Sequence, residues 1–295
     1  MRIGFIGTGT MGALMAANLV KKGYEVTGYD IVAANMEKAA ALGVKKGSGI
    51  KAVAADSDIV ITMLPESKDT KCALLDPGGA AEAMRPGMTV IDMCTGSPTI
   101  AKEIAAALAA KEIAYIDAPV SGGVAKASEG TLSIIASGDE QAYQTCLPLL
   151  QAMGEEVFYV GKTGNGQTIK LINNMLTGIN LVGICEGMVL GMKAGIDPKL
   201  LLQVINSSSG ESYSSRVKMP GFVFKRNFNG GFKARLQHKD MNLATTLARE
   251  LQVPVIMGVM AQQYFLAALS GGRGEEDASV IVTLLESITG TEVKL

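Results

Sequence analysis

The chain has 295 residues, 48% of them hydrophobic and 19% charged, with a formal net charge of −1. That length suits one large domain or two ordinary ones, and the balanced charge gives no electrostatic footprint for nucleic acid or an anionic membrane. Four scattered cysteines (Cys72, Cys94, Cys146, Cys185) without a C-x-x-C pair, and a single histidine, argue against a Cys/His metal site. No metal is therefore expected, and scattered buried thiols fit a reducing cytosol better than a disulfide scaffold. The chain opens directly on a strand pattern, so no signal peptide is expected.

Residues 1–6 read as a short apolar strand, followed at once by Gly7-Thr8-Gly9-Thr10-Met11-Gly12 and by helical spacing over 13–22. Gly23 closes that helix, and residues 25–29 form a second strand pattern closing with Asp30, 18 positions after Gly12. A G-x-G-x-x-G run is weak alone. Between a strand and a helix, with an acidic residue ending the next strand, it marks a dinucleotide site. Gly7 makes the tight turn, Gly9 admits the pyrophosphate to the backbone, and Gly12 lets helix and strand pack. The pyrophosphate would rest on the helix N-terminus, where unbonded N–H groups and the dipole favour an anion. Asp30 would bind the ribose diol and repel a 2′-phosphate, which predicts NAD over NADP; its plainer reading is a surface turn carboxylate.

Further strand patterns follow at 59–63, ending at Leu64-Pro65; at 89–93, ending at Cys94-Thr95; and at 113–117, running into Ala118-Pro-Val-Ser121-Gly122-Gly123. Strands alternating with helices predict a parallel sheet covered on both faces, and ligands of such sheets bind outside the carboxyl ends of the strands. Leu64, Pro65, Thr95 and the Ser121–Gly123 trio all fall there. One hydroxyl with two unhindered N–H groups makes a nest for a carboxylate, although Ser-Gly-Gly after Pro119 is also ordinary turn chemistry. Residues 131–136 and 157–160 read as strands that extend the sheet.

From about residue 163 the pattern turns helical. Gly161, Gly164 and Gly166 precede a segment reaching about residue 194, in which Lys170 and Asn174 lie four apart and so share one helical face. A lysine and a carboxamide placed so can hold a hydroxyl, the lysine moving its proton and the amide fixing its direction. Gly183, Gly187, Gly191 and Gly195 recur every four residues, and each costs roughly 1 kcal/mol against Ala in a helix interior. Close approach of another helix would offset that cost. The spacing also suits a membrane helix, but Lys170, Asn173, Asn174, Asn180, Glu186 and Lys193 interrupt the run, and a buried helix joining two domains is the better reading. Asp197-Pro198 reads as an N-cap with Pro at the first helical position. Leu236–Ala244 opens a second long helix with Lys239 and Asp240 at its start, where Lys239 reads equally well as a solvated surface lysine. The expected architecture is α/β: an N-terminal doubly wound Rossmann sheet over residues 1–162, a long interdomain helix, and an all-α C-terminal domain within 163–295.

Five stretches together resemble the β-hydroxyacid dehydrogenase family, which includes 3-hydroxyisobutyrate dehydrogenases. They are Gly7–Gly12; Asp92-Met-Cys-Thr95 with Pro98; Asp117-Ala-Pro-Val-Ser-Gly-Gly123; Gly164-Asn-Gly-Gln-Thr-Ile-Lys-Leu-Ile-Asn-Asn174; and His238-Lys-Asp240. They run in family order along nearly the whole chain. The resemblance implies that Lys170 is the catalytic acid/base, that Ser121, Gly122 and Gly123 hold the substrate carboxylate, and that Asn174 binds substrate. It implies also that Thr95 lies near the nicotinamide and Lys239 lines the cofactor and substrate cleft. Cys94 stands where the family often has serine. Family members that use NADP tend to carry Asn-Arg-Thr after the second strand, whereas this chain has Asp30-Ile-Val, again pointing to NAD.

The implied activity is hydride transfer between NAD and a small 3-hydroxy acid, 3-hydroxyisobutyrate-like or 2-(hydroxymethyl)glutarate-like, to give the semialdehyde, or the reverse. For a substrate with a second carboxylate, Arg216, Lys218, Lys233 and Arg235 are candidate partners, or equally an ordinary solvated basic face. Two alternatives stand beside this reading: a non-catalytic nucleotide-binding scaffold, and a decarboxylating dehydrogenase of the 6-phosphogluconate type, for which no phosphate-binding basic cluster is evident. A free lysine titrates near ~10.4, so a neutral Lys170 would need desolvation or a nearby cation such as Lys239. A homodimer or homotetramer in the cytoplasm is expected, because the C-terminal part cannot easily bury the long helix alone.

Overall fold

The computed structural model describes residues 1–295, which divide into two compact units, Met1–Lys170 and Leu171–Leu295. The first unit runs β1 (Arg2–Ile6), α1 (Thr10–Lys21), β2 (Glu25–Tyr29), α2 (Ala33–Ala40), β3 (Lys45–Lys46), α3 (Ile50–Ala55), β4 (Ile59–Thr62), α4 (Ser67–Leu75), β5 (Thr89–Asp92), α5 (Pro98–Ala109), β6 (Ala114–Asp117), β7 (Val120–Ser121), α6 (Gly123–Glu129), β8 (Leu132–Gly138), α7 (Glu140–Met153) and β9 (Gly154–Tyr159). Strand order is β3-β2-β1-β4-β5-β6-β8-β7, with β9 on β8. From β3 to β6 every pairing is parallel. β8 enters antiparallel to both β6 and β7, and β9 restores a parallel pairing with it.

Side chains on a strand alternate between faces, and here both faces are buried. Ile3, Phe5, Ile59, Ile61, Ile91 and Ile116 point to one face, against Met15 and Leu19 of α1 and Leu149 and Leu150 of α7. The residues between them, Ile6, Val60, Val90 and Tyr115, meet Leu74 of α4 and Ile104 and Leu108 of α5 on the other. Fully burying one such Leu or Ile side chain stabilises by about 1.5–3 kcal/mol, so a continuous apolar strand such as 59–61 is what a sheet covered on both sides requires. The N-terminal unit is therefore the doubly wound Rossmann sheet expected. The antiparallel entry of β8 departs from the purely parallel expectation. It follows from the short hairpin-like return through α6, which leaves no room for a crossover.

Helix α8 (Asn165–Lys193) begins in the first unit and continues into the second. The second unit then holds α9 (Pro198–Asn206), a π-helical segment Ser214–Val223, α10 (Ala234–Glu250), α11 (Ile256–Ser270) and α12 (Val282–Thr289). Its core gathers Leu181, Cys185 and Met188 of α8 with Met219, Met241, Phe265 and Val280. Its only strand-like pairing is an isolated bridge between Lys233 and Asp277, so the C-terminal unit is helical as expected. Asp197 caps α9 by accepting from Leu200 N at 2.8 Å, with Pro198 next in line.

Three further expectations change. The glycine stripe of α8 is not closely packed within the unit: a Cβ on Gly183 or Gly187 would meet nothing within 4 Å, and only at Gly191 would it run into Leu201. The helix is accordingly not buried all round, and Leu176 and Leu190 are exposed. Cys72 is exposed too, while the other three cysteines are buried.

Candidate active site

The turn between β1 and α1 shows why its glycines are glycines. Gly7 sits at φ +94°, and a Cβ there would strike the Met63 carbonyl oxygen at the end of β4. A Cβ on Gly12 would run into the Gly7 carbonyl oxygen. Over Gly9 the space is open, the nearest atom to a Cβ being Asn35 Nδ2 at 3.8 Å. Gly9 is also the N-cap of α1, and no side chain caps that terminus, which leaves donors for an anion. Thr8 Oγ1 is buried without a hydrogen-bond partner in the protein, and a buried hydroxyl without a partner is costly unless a ligand takes it. Thr10 is exposed and Met11 half-buried. Asp30 lies just past β2 and accepts from Val32 N at 2.8 Å, holding one carboxylate oxygen at the turn. These features fit a dinucleotide pyrophosphate and its ribose.

Leu64 and Pro65 follow β4, and Leu64 packs against the Gly7 turn, where its Cδ2 would lie 2.8 Å from a Cβ on Gly7. Thr95 follows β5 and is half-buried. Beneath it lies a polar knot that sequence reasoning did not single out. Asp92, itself buried, accepts from Thr62 Oγ1 at 2.8 Å, Tyr115 OH at 2.9 Å and Cys94 N at 3.3 Å. Burial pushes the Asp92 carboxyl upward against hydrogen bonds from Cys94, Thr62 and Tyr115 that favour its ionised form, and burial beside Asp92 pushes the Tyr115 phenol well up. Ser121 closes β7, and Gly122 (φ +133°) and Gly123 (φ +70°) open α6. Both glycines are exposed, and a Cβ on Gly122 would press on the Lys126 side chain at 2.7 Å.

The start of α8 is capped from a distance. Asp117, at the end of β6, accepts from Gly164 N at 2.8 Å and from Gln167 N at 3.1 Å. The Ser137 hydroxyl of β8, hydrogen-bonded to the same carboxylate, accepts from Gly166 N at 2.9 Å. Three of the donors that every helix N-terminus leaves over are thus met by the sheet. A Cβ on Gly166 would collide with the Ile135 carbonyl, so that glycine is what lets the helix reach the strands. Burial raises the Asp117 carboxyl to about 6, opposed by the bonds from Gly164, Ser137 and Gln167. One turn further along α8 comes Lys170, only 6% exposed.

The second unit holds the remaining candidates. Asn174 is buried on α8, one turn after Lys170. Its Nδ2 donates to Asp240 Oδ2 at 2.6 Å, its Oδ1 accepts from Asn173 Nδ2 at 3.1 Å, and its backbone carbonyl accepts from Gln237 Nε2 at 2.8 Å. The other Asp240 oxygen lies 3.1 Å from Lys239 Nζ. Asp240 therefore joins Asn174 to Lys239 and offsets the lysine's charge. Helix α10 starts at Ala234, so Lys239 and Asp240 lie in its second turn and not at its start. The four basic candidates for a second carboxylate all have partners: Arg216 pairs with Glu211, Lys218 with Asp277 at 2.5 Å, and Lys233 and Arg235 both with Glu275 at 2.6 and 2.5 Å.

The two units match two family models. Residues 2–161 match the NAD binding domain of 6-phosphogluconate dehydrogenase, and residues 164–285 match the NAD-binding model of NADP-dependent 3-hydroxyisobutyrate dehydrogenase. Among curated proteins the chain is 39% identical to the 2-(hydroxymethyl)glutarate dehydrogenase of Eubacterium barkeri over 99% of this chain and 97% of that one. It is 36% identical to the NAD-dependent L-serine dehydrogenase of Pseudomonas aeruginosa, covering 98% and 99%. Among solved structures it superposes on the Mycobacterium tuberculosis 3-hydroxyisobutyrate dehydrogenase with L-serine, at a TM-score of 0.89 and 31% identity over 96% and 98% of the two chains. The glycine turn that fits a pyrophosphate and these matches over both units agree: the cofactor is a nicotinamide dinucleotide, NAD(P), and the chain belongs to the β-hydroxyacid dehydrogenase family of oxidoreductases.

Proposed function

We propose that the protein oxidises small 3-hydroxy acids to semialdehydes with NAD⁺, or runs the reverse reduction, and that Lys170 moves the proton. The observation that carries this reading is the buried Lys170–Asn174 pair, one helical turn apart on α8. Bound NAD supplies a nicotinamide that accepts or returns a hydride. Ser121 and the Gly122 and Gly123 amides receive the substrate carboxylate, and Asn174 orients the hydroxyl. Lys170 takes the hydroxyl proton in oxidation and returns it, as an ammonium, to the aldehyde oxygen in reduction. Thr95 flanks the nicotinamide, and Gly7, Thr8, Gly9, Thr10, Met11, Gly12, Leu64 and Pro65 seat the dinucleotide. Lys239, paired with Asp240, is assigned to cofactor binding.

The substrates named for the similar proteins have a common skeleton, a hydroxymethyl group and a carboxylate on one carbon that bears a third substituent: methyl, ammonium or a carboxyethyl arm. In this chain Lys218 is committed to buried Asp277, and Arg216, Lys233 and Arg235 sit in exposed pairs that are easily exchanged, so the support for a small substituent is the loss of Lys218 as a partner for that arm. The test is a panel of initial rates with 3-hydroxyisobutyrate, serine, 3-hydroxypropionate, glycerate and 2-(hydroxymethyl)glutarate, each with NAD⁺ and NADP⁺. Turnover with NAD⁺ and a preference for the small acids is expected, because Asp30 opposes a 2′-phosphate. Equal rates with NADP⁺ would remove Asp30 as the selector, and silence on all five acids with NADH still bound would favour the non-catalytic reading.

A cytoplasmic homodimer or homotetramer is part of the same proposal. Its support is the apolar surface left on the helical unit: Leu176 and Leu190 on α8, with Gly183 and Gly187 open between them, and Ile256, Met257 and Met260 on α11. Large exposed apolar side chains on one unit are what a subunit interface would cover. Light scattering should give two or four times the 30.7 kDa of one chain; a monomeric mass at micromolar concentration would reject the oligomer.

A further inference from the structure

The Gln167 carboxamide is buried, 1% exposed, and spends both ends on one loop. Its Oε1 accepts from Gly96 N at 2.8 Å, and its Nε2 donates to the Cys94 carbonyl at 2.8 Å. Those two peptide groups stand on either side of Thr95. The Gln167 backbone N–H is in turn bound by Asp117. We propose that Gln167, with its backbone locked by Asp117, is a positioning residue that sets the Thr95 loop against Lys170, three residues further along α8. This rests on the reading of Lys170 as the proton carrier.

The chemistry of the clamp is specific. One side chain must present an acceptor to Gly96 and a donor to Cys94 at the same reach. Asparagine is a methylene too short, leucine offers neither group, and an ionised glutamate offers two acceptors. Gln167 and Lys170 ride on one helix, less than one turn apart, so a loop released from Gln167 shifts relative to Lys170, and a misplacement of about 1 Å at a reacting group can cost on the order of a hundredfold in rate. Asp117 supports the clamp in its ionised form, which accepts from Gly164, Gln167 and Ser137 together.

The test uses Gln167→Leu and Gln167→Glu in the full-length enzyme, with Lys170→Ala in parallel. Gln167→Leu should lose about tenfold or more in kcat, keep its affinity for NADH, and speed exchange of the Gly96 amide hydrogen. Gln167→Glu guards against misfolding of the leucine variant. Its protonated carboxyl can donate to Cys94 and accept from Gly96, while its ionised form cannot donate. Relative to the parent enzyme, its kcat should therefore recover as pH falls. The other titrating or charged groups around this turn are Asp92, Cys94, Lys102, Tyr115, Asp117 and Lys170, and all are common to both enzymes, so the difference between the two profiles reports residue 167. Parallel profiles with kcat within twofold, or a Gln167→Leu enzyme of parental kcat, would overturn the proposal while an inactive Lys170→Ala left the assignment of Lys170 standing. An active Lys170→Ala would instead remove that assignment and this proposal with it.

Discussion

Lys170→Ala should cut turnover by about 100- to 10,000-fold, the range that a positioned acid/base contributes, and leave NADH binding largely intact. The reason lies in the division of labour along the chain. The dinucleotide features sit on the β1–α1 turn, β2 and β4, where Gly7, Thr8, Gly9, Gly12 and Asp30 are placed by strands and their own backbone. Lys170 belongs to α8, whose start is fixed independently by Asp117 and Ser137. Removing the lysine amine from one turn into that helix leaves the capping bonds in place. Because the proton is moved only in the chemical step, kcat and kcat/KM should fall together. Steady-state rates and NADH fluorescence titration separate the two effects. Rates near those of the parent enzyme would show that another group moves the proton.

The second large effect concerns stability. Asp277→Ala should destabilise the helical unit by about 3–5 kcal/mol, the usual cost of stranding one member of a buried ion pair. Asp277 is fully buried, and its partner Lys218 nearly so. One carboxylate oxygen accepts from Lys218 Nζ at 2.5 Å and Phe232 N at 2.9 Å, and the other from Ser279 N at 3.0 Å and Ser279 Oγ at 2.7 Å. Gly231, at φ +63°, passes so close that a Cβ there would strike the same carboxylate. Removing it orphans an ammonium, two N–H groups and a hydroxyl in a core that also holds Met219, Val280 and Ile281. Against a typical domain stability of ~5–15 kcal/mol that is a severe loss. It should appear as a lower urea midpoint, and Lys218→Met added to Asp277→Ala should recover part of it, since the stranded charge is then gone. An unchanged midpoint in the single variant would mean that water reaches Lys218.

The sequence made local features legible and left distant ones dark. The β1–α1–β2 glycine turn could be read because its parts, Gly7 to Asp30, lie within 30 residues and follow one spacing rule, although the obstacle that holds Gly7 comes from Met63 after β4. The Lys170–Asn174 pair was legible through helical periodicity. Asp117 and Ser137 could not be read as the cap of α8, because they come from two other strands and no spacing rule links them to residue 164. Gln167 stood inside a recognised stretch, yet its role depends on the Cys94–Gly96 peptides, 73 and 71 positions away. Asp240 was likewise visible only as part of a motif, and its link to Asn174 appears when α10 meets α8 within the second unit. The start of α10 was misplaced because Lys233, its N-cap, makes no side-chain cap, so the usual Ser, Thr, Asp or Asn signal is missing. The two-residue strand β3, Lys45–Lys46, has no apolar content to announce it.

The interlocked glycines at the β1–α1 turn also constrain how this sequence can change over time. Gly12 is fixed by the oxygen of Gly7, and Gly7 by the oxygen of Met63. No single replacement at either position is relieved by a single replacement at the other, because the obstacle in each case is main chain, which every residue shares. Compensation would require the strand β4 and the helix α1 to move apart together, undoing the packing of the sheet beneath. The pair is therefore closed to stepwise drift, whereas a replacement at Thr10, exposed beside it, would leave that main-chain geometry as it is. In descendants of this chain the loop's shape should outlast its wording.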